Sequence, residues 1–260
     1  MKPFLAHSAP LFAALVAAAL PTVAQAQDRN ADRSSDRDHV VLGIGVAATP
    51  AYQGADDLRV QPLPAIDIQE GWLFANLRNG IGVMPIGTDH VDIGASAVFV
   101  QGYRRRDVPA GIDRLKDGVG ARVFANLRAG GIVATVGATR IVSGGTGGLV
   151  ADASVSYPVQ VSQRFTLTPT IGATWANGKH NDRYFGVTQA ESLASGLPRF
   201  TTGAGFKDVS GLLTASYRVT DRITLSATGG VTSLIGDVKD SPIVEKKTAP
   251  SGILTLTYRL

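Results

Sequence analysis

The side chains with the most obvious catalytic potential lie between residues 180 and 195. His180, Glu191, Ser192 and Ser195 supply a base, an acid and two hydroxyls, the groups that nucleophilic hydrolysis of a lipid ester requires. Such catalysis needs the nucleophile and the base within hydrogen-bond reach of each other. Only His180 is available in this segment, and nothing in the spacing brings it to either serine. We therefore expect no catalytic residues and predict that the chain is not an enzyme.

Metal and cofactor sites are equally poorly supported by the sequence. The chain has 4 His and 0 Cys, and no two histidines share a face at metal-ligand spacing. The histidines are His7, His39, His90 and His180. The glycine pairs at Gly43–Gly45 and Gly118–Gly120 do not open a helix after a strand, so they lack the context of a dinucleotide fingerprint. We predict no metal and no cofactor.

The first residues have the pattern of an export signal. Lys2 precedes the apolar segment Leu11–Leu20, and Ala24-Gln25-Ala26 has the small-residue form of a cleavage site. We predict a signal peptide over residues 1–26 and a solvated, disordered periplasmic leader over residues 27–38. The rest of the chain, residues 39–260, is then a single folded unit. Export also makes a nucleic-acid partner improbable, despite a formal net charge of +4.

From His39 onward the dominant period of the sequence is two. Between Arg164 and Trp175, apolar residues alternate with threonines and glycine, which is typical of a strand with one apolar and one polar face. Several such segments are about ten residues long, enough for a tilted strand to cross a membrane. The polar faces carry Thr, Ser and Gly rather than the Lys and Glu of a soluble sheet. The pattern favours a closed antiparallel transmembrane β-barrel over the alternative, a soluble β-sandwich.

The connections alternate between long and short, as such barrels require. Counting them gives 11 strands if residues 72–86 form one strand. Asn79-Gly80 is a strong hairpin turn, and a break there gives 12 strands, with 10 as the alternative. We expect the long loops to face outward and both termini to be periplasmic, which requires an even strand count. Eight aromatic residues near strand ends fit aromatic belts or ordinary strand aromatics equally well: Trp72, Phe74, Phe99, Tyr103, Tyr157, Trp175, Tyr217 and Tyr258.

Parity along the strands also predicts which charged residues point into the lumen. These are Asp92, Arg122, Asp152 and Arg164. Basic residues recur in the predicted outward loops, where they either pair with the phosphates of lipopolysaccharide or are ordinary solvated charges. They are Arg104, Arg105, Arg106, Lys116, Lys179, Arg183, Arg199, Lys207, Lys239, Lys246 and Lys247. Outer-membrane lipid is the predicted surrounding of the barrel.

Several short segments resemble one family of outer-membrane proteins, the MltA-interacting protein (MipA) / OmpV family. Tyr184-Phe185-Gly186-Val187-Thr188, followed by Glu191-Ser192 and Ser195-Gly196-Leu197, is similar to one signature of that family. Asp240-Ser241-Pro242-Ile243-Val244 is similar to a second, just before the last strand. Pro50–Asp56 resembles the first outward loop, and Pro62-Leu63-Pro64 the strand after it. The matches keep the order of the family from about residue 39 to 260.

The resemblance implies a protein of the outer membrane of a Gram-negative bacterium that is not an enzyme. It implies a scaffold that joins a murein synthase to a lytic transglycosylase during cell-wall growth. The alternative is a narrow channel or a small-molecule-binding barrel that affects the passage of solutes or antibiotics. Candidate binding residues lie in the two signature loops: Tyr184, Phe185, Gly186, Glu191, Ser192, Gly196, Asp240, Ser241 and Pro242.

We expect the first signature to fold over the barrel mouth. Residues 189–194 are predicted to form one or two helical turns, ended by Gly196 and Pro198. Tyr184 and Phe185 would anchor this segment across the opening, with the second signature beside it. A purely stabilising role at the rim is the alternative.

Overall fold

The computed structural model describes residues 38–260. The expected signal peptide (1–26) and the expected leader up to residue 37 lie outside the described residues. Within the described range the chain forms 13 strand segments, two short α-helices and a 3-10 helix. The strands are β1 (His39–Pro50), β2 (Leu58–Glu70), β3 (Leu73–Asn76), β4 (Gly80–Gly87), β5 (Val91–Val100), β6 (Gly118–Ala129), β7 (Ile132–Gly144), β8 (Leu149–Ser156), β9 (Val159–Ser162), β10 (Phe165–Ala176), β11 (Gly205–Arg218), β12 (Ile223–Leu234) and β13 (Thr248–Arg259).

The strands close into a barrel of 12 wall positions. Each strand is antiparallel to its neighbours, and β1 pairs with β13 from Val41 opposite Arg259 to Ala48 opposite Gly252. β8 and β9 both pair with β10, so together they make one wall position, interrupted at Tyr157 and Pro158. The predicted fold class and the count of 12 are confirmed. In the part of the chain that the structure describes, no helix is long and apolar enough to span a membrane.

The β3–β4 hairpin is the shortest part of the wall. The turn that Asn79-Gly80 predicted is present and connects a strand of 4 residues to one of 8 residues. The Asn79 backbone N–H donates to the Asn76 side chain at 2.7 Å. Gly80 has φ +76°, and a Cβ there would lie 2.0 Å from the carbonyl oxygen of Ala97 on β5. Glycine is therefore required at this position by both conformation and space.

Alternation along the strands separates a lipid-facing surface from a buried interior. Outward apolar side chains such as Ile44 (73% exposed) and Ile171 (67% exposed) form the outer surface. Inward threonines and serines are hydrogen-bonded to one another. The Ser156 and Thr170 hydroxyls lie 2.9 Å apart, and so do the Thr214 and Thr228 hydroxyls. Short hydroxyl side chains face inward because buried polar groups need hydrogen-bond partners, and neighbouring strands supply them at this distance.

The structure changes two details of the strand prediction. The segment 158–163, expected to be a turn, contains β9, and the turn is at residues 163–164 instead. The aromatic residues near strand ends also fall into two groups, one exposed and one buried. Trp72, Tyr157, Tyr217 and Tyr258 are exposed near the end of the barrel with short turns, as a belt requires. Phe74 instead lies buried in the lumen against Phe124, and Tyr103 lies in the loop core described below.

The two ends of the barrel differ. At the short-turn end the connections are residues 71–72, 88–90, 130–131, 163–164 and 219–222. At the long-loop end they are loops L1 (51–57), L2 (101–117), L3 (145–148), L4 (177–204) and L5 (235–247). L4 contains helices α1 (Gly178–Phe185) and α2 (Gln189–Ser195), and L5 contains the 3-10 helix Asp237–Asp240. The predicted helix at 189–194 is confirmed as α2, and it ends at Gly196, which has φ +76°.

Candidate functional site

The long loops pack together into a lid over the barrel mouth. Their apolar side chains form one buried cluster, which we call the lid core. It comprises Ala51, Tyr52, Ala55, Tyr103, Val108, Ile112, Leu115, Tyr184, Phe185, Val187, Leu234, Val238 and Ile243. Phe185, Ile112 and Ile243 are fully buried, at 0% exposure. Loops this well packed are part of the fold rather than mobile connections, because burial of this kind stabilises them against opening.

L1 is joined to both signature loops by hydrogen bonds. The Tyr52 hydroxyl donates to the Ile243 carbonyl at 2.7 Å. The Gln53 backbone N–H donates to the Tyr184 hydroxyl at 3.1 Å. Burial raises the pKa of Tyr184 to about 12, so its hydroxyl is neutral at physiological pH. The Gly54 carbonyl accepts from the backbone N–H groups of Glu245 and Lys246 at 2.8 and 2.9 Å.

The two signature loops also contact each other directly. The Ser241 hydroxyl donates to the Phe185 carbonyl, and both residues are buried. Gly186 follows α1, and its N–H donates to the Asp182 carbonyl at 2.9 Å. Pro242 is half-buried beside them. Asp240 lies at the surface, where the hydrogen bond from Lys247 holds the pKa of its carboxyl below the ordinary value.

In α2 the polar residues of the first signature serve the helix itself. Glu191 and Thr188 form a reciprocal capping box at its start. Burial opposes ionisation of Glu191, but hydrogen bonds from Thr188 and from the Asp113 backbone lower its pKa overall. The Ser192 hydroxyl donates to the Leu197 carbonyl at 2.7 Å, and the Ser195 hydroxyl to the Glu191 carbonyl at 2.6 Å.

His180 is buried in the lid, away from these groups. Its Nδ1 lies 2.8 Å from the Thr146 hydroxyl of L3, and its ring stacks on Tyr184 with centroids 5.9 Å apart. Burial, assisted by the charge of Lys207, lowers the pKa of His180 to about 3. The imidazole is therefore neutral at physiological pH. The structure does not join His180, Glu191 and either serine by hydrogen bonds, and no group of potential metal ligands occurs within residues 38–260.

Beneath the lid lies a cavity of about 260 Å³. Tyr52, Gln53, His180 and Tyr184 form its roof. Apolar side chains, including Val98, Ile141 and Leu234, form much of its wall. Its charged lining residues are Arg78, Arg122, Asp152, Lys207, Asp208, Lys246 and Lys247. The cavity thus has five basic side chains and two carboxylates, which is an electropositive site with apolar walls.

Two of the predicted lumen residues meet in the wall of this cavity. The Arg122 guanidinium donates to the Asp152 carboxylate through two nitrogens, one of them at 2.9 Å. Arg122 also donates to the Asn79 side chain at 3.1 Å and to the Thr139 hydroxyl at 3.2 Å. A bidentate pair with additional bonds is the arrangement that holds a buried arginine in one position. Arg78, at the hairpin tip, donates to the Ser154 hydroxyl at 2.6 Å.

The other two predicted lumen residues lie elsewhere. Asp92 is buried nearer the short-turn end, where it accepts hydrogen bonds from Arg128 and Asn126. The prediction for Arg164 needs correction, because this residue is exposed in the β9–β10 turn. The Ser162 hydroxyl accepts from the N–H groups of Arg164 and Phe165, so this local turn delays the start of β10 by one residue. Parity alone does not reveal such a turn.

Sequence reasoning missed a polar cluster at the roof of the cavity. Lys207 and Asp208 are adjacent in β11, yet both are buried and form an ion pair. Gln53 of L1 bonds both of them, at 2.9 Å from Lys207 and 3.2 Å from Asp208. The register between β10 and β11 shifts between Thr174 and Trp175, which leaves Lys207 as an extra residue of β11, and this β-bulge turns consecutive side chains inward. The predicted loop cation Lys207 is therefore a cavity residue, whereas Arg104, Arg105 and Arg106 are exposed.

These features define the class of the protein: an outer-membrane β-barrel whose mouth is closed by its own loops. A sequence model of the family described as "MltA-interacting protein MipA" matches residues 42–260. The chain belongs to this family.

The chain is also similar in sequence to proteins described as MltA-interacting protein or as outer membrane proteins. The MltA-interacting protein of Escherichia coli K12 is 26% identical over 226 residues, covering 84% of this chain and 89% of that protein. A 24 kDa outer membrane protein of Pasteurella multocida is 22% identical over 233 residues, with the same coverage of 84% and 89%. The putative outer membrane protein YiaT of Escherichia coli K12 is 29% identical over 113 residues, 43% of this chain, and the match spans only 45% of YiaT.

Among solved structures, similar barrels are found at low identity. The NanC porin aligns with a TM-score of 0.44 and 8% identity, over 84% of this chain and 100% of that one. The COG4313 outer membrane channel of Pseudomonas putida F1 aligns with a TM-score of 0.44 and 11% identity, over 89% of this chain and 100% of that one. Likeness at this level carries no functional conclusion for the present chain.

Proposed function

We propose that this protein is a non-enzymatic outer-membrane scaffold that holds a lytic transglycosylase and a murein synthase together during cell-wall growth. Membership of the MltA-interacting protein family supports a lytic transglycosylase partner. The observation from the structure that carries the proposal is the sealed mouth. A barrel whose long loops share a buried apolar core is built as a stable body rather than as an open pore.

The short-turn end is the surface available to a partner beneath the membrane, if the long loops face outward. A stable interface buries on the order of 800 Å² on each partner, and five short turns offer little area. We infer that residues 27–38, of which 27–37 lie outside the described residues, contribute part of the contact. Their mixture of Asp and Arg with few apolar residues suits contact with a charged surface.

The long-loop end then faces the lipopolysaccharide layer. Exposed bases in L2 and L4, such as Arg104, Arg106 and Arg183, have the chemistry to pair with lipid phosphates. This contact would orient the barrel without restricting its partners on the other side.

Affinity capture from gently solubilised envelopes tests the scaffold. The tagged full chain should enrich a lytic transglycosylase and a murein synthase, identified by mass spectrometry. The matched control is a variant that keeps the signal peptide and the barrel but lacks residues 28–37, which should lose most of that enrichment. A clean capture of the folded full chain that enriches neither enzyme would overturn the scaffold.

A second function is favoured by one observation, the cavity of about 260 Å³ beneath the lid. Ordinary ligand pockets begin at roughly 300 Å³, so this cavity suits a small molecule. In this alternative the barrel binds a small molecule, or admits one when the lid opens. The signature residues Tyr184, Phe185, Ser241 and Pro242 act as the lid, and Arg122 and Asp152 line the site.

A further inference from the structure

The wall of the barrel is incomplete on one side at the long-loop end. β3 pairs with β2 only from Asp67 opposite Asn76 to Glu70 opposite Leu73. On that side of β2, no paired strand follows residues 58–66 within the described part of the chain. β4 likewise reaches only as far as Ala97 on β5. At about 4.8 Å per strand, the two absent half-strands correspond to roughly 14 Å between β2 and β5. We call this opening the window.

Successive residues of a strand direct their backbone hydrogen bonds to opposite neighbours, and this alternation shows which backbone groups of β2 face the window. The Leu260 N–H donates to the Val40 carbonyl at 2.9 Å, so the even-numbered residues of β1 point their backbone groups toward β13. The odd-numbered residues of β1 therefore bond β2, where their partners are also odd, as Gly45 opposite Leu63. The even residues of β2 thus point their backbone groups toward β3 and, above it, toward the window.

This alternation explains why two prolines are tolerated in the middle of a long strand. Pro62 and Pro64 are even-numbered, so each places its nitrogen at the window, where no ladder bond is lost. Unpaired N–H groups facing lipid would be strongly unfavourable, and proline has none. Their side chains and those of Val60 and Ile66 are exposed on the outer surface, which puts this edge at membrane depth.

The opposite edge and the top of the window are also defined. The Arg128 N–H donates to the His90 carbonyl at 2.7 Å, so odd residues of β5 point their backbone groups away from β6. Above the hairpin, this leaves Phe99 facing the window. At the top, Arg59 of β2 forms an ion pair with Asp107 of L2, which crosses from β5 to β2. Residues 77–79 at the hairpin tip form the lower edge.

The cavity beneath the lid borders this window. Arg78 at the hairpin tip and the consecutive residues 98–102 of β5 and L2 line the cavity. These are also the lower and far edges of the window. An apolar molecule dissolved in the membrane would thus reach the cavity laterally, without passing the lid core.

The charges of the cavity indicate what such a molecule carries. Three of its basic lining residues are Arg78, Arg122 and Lys207, and its two carboxylates are Asp152 and Asp208. Arg122 forms an ion pair with Asp152, and Lys207 forms one with Asp208. Buried charge of one sign in excess favours a ligand of the opposite sign. Together with apolar walls, this favours an anionic head on an apolar chain.

We propose that the window admits a small acyl anion, a carboxylate on a short hydrocarbon chain, from the membrane into the cavity, where Arg78 and Lys207 hold its head group. This inference rests on the second function proposed above and is independent of the scaffold.

The ligand class is tested by titrating sodium decanoate into the purified full chain in non-ionic detergent, with decanol as the uncharged control. Decanoate should bind and decanol should bind at least about tenfold more weakly, the effect of one charge-assisted contact. Arg78→Gln should weaken decanoate binding by a similar factor, and Asp152→Asn should tighten it. Lys207→Met serves in place of Arg78→Gln should that variant misfold. Equal binding of the two probes, or weakening by both variants, would overturn the ligand class.

The lateral route is tested with single cysteines, because the chain has 0 Cys. Pro64→Cys places a thiol at the window edge, and Leu225→Cys places one on β12, where both neighbouring strands are paired. Each variant is reconstituted in phosphatidylcholine vesicles that contain a diazirine-bearing decanoic acid. Mass spectrometry then maps the photoadducts before and after a bulky maleimide is attached.

The expected result is adducts on the cavity residues Val98, Ile141 and Leu234, lost when Pro64→Cys is labelled and retained when Leu225→Cys is labelled. Retention in both would mean access through the mouth and would overturn the window while leaving a binding barrel. Adducts confined to outward-facing residues, with decanoate still binding from water, would overturn the window as well. None of these outcomes affects the capture of murein enzymes, which tests the scaffold separately.

Discussion

The two ends of this barrel restrict the lumen in different ways. At the short-turn end, turns of two to four residues join the strands, and side chains such as Phe74 and Phe124 narrow the lumen. At the long-loop end the strands enclose a cavity instead, and a roof of packed loops closes it. The lumen is thus narrowed by side chains at one end and closed by packed loops at the other.

This difference separates the two proposed functions in space. The proposed small-molecule site is confined to the long-loop half, where the charged lining residues, the cavity and the window occur together. In the proposed scaffold, a protein partner beneath the membrane would meet only the short turns and residues 27–38. Changes in the lid should therefore alter permeability and ligand binding without altering partner capture, and the reverse should hold for the short-turn end.

The largest expected effect comes from removing part of the lid. Deleting Tyr184–Phe200 takes away three lid-core residues, Tyr184, Phe185 and Val187, and all of α2. Uptake of small solutes by cells or proteoliposomes should rise. The control is deletion of residues 28–37, which should leave uptake unchanged. Unchanged uptake in a folded lid deletion would mean that the short-turn half alone closes the barrel.

A single buried side chain tests the packing of the lid. Phe185→Ala should destabilise the lid by about 3–5 kcal/mol, the usual range for removal of a buried phenylalanine, because Phe185 is 0% exposed. Hydrogen exchange of L1, L4 and L5 amides measures this loss. Leu193→Ala on α2 is the matched control, since Leu193 is 79% exposed, and its effect should stay below about 0.5 kcal/mol. Similar losses in both variants would contradict a packed lid.

A smaller effect is expected from one hydrogen bond between distant loops. Tyr52→Phe removes the donor to the Ile243 carbonyl and leaves that carbonyl buried without its side-chain partner. We expect a loss of about 1–2 kcal/mol, visible as faster exchange in L1 and L5 together. Exchange that accelerates in L1 alone would show that the loops open independently.

Acid should weaken the lid gradually. His180 has its pKa lowered from 6.5 to about 3 by burial, so an open lid binds a proton that the closed lid excludes. Its contribution is complete above about pH 6.5 and is lost as pH falls from there toward 3, by about 1 kcal/mol at pH 5.5. Hydrogen exchange of L3 and L4 at pH 7.0 and 5.5 measures it after correction for intrinsic rates. His180→Asn should flatten this dependence, and an unchanged pH profile in that variant would contradict it.

The sequence predicted the wall of the barrel better than its mouth. Period-two alternation and Asn79-Gly80 were enough for 12 strands, because strand geometry is local. The sequence also predicted helix α2 and its end at Gly196. Parity predicted lumen positions for Arg122, Asp152 and Arg164; the structure places the first two in the cavity wall and Arg164 in an exposed turn, where its N–H donates to the Ser162 hydroxyl.

The lid and the cavity depend on contacts that no local pattern contains. Tyr52 and Ile243 are 191 residues apart in the chain, and Gln53 and Asp208 are 155 apart. Lys207 and Asp208 face inward together because Lys207 is the extra residue of a β-bulge in β11. Pro62 and Pro64 were noted only as a family resemblance. Their physical role depends on which edge of β2 lacks a partner, and only the assembled barrel shows it.

Single-channel recording of the intact chain in planar bilayers tests the sealed mouth most directly. The account predicts insertion without steady conductance, and steady openings only after Tyr184–Phe200 is deleted. Steady conductance from the intact, folded barrel would contradict a closed mouth and make the protein a channel.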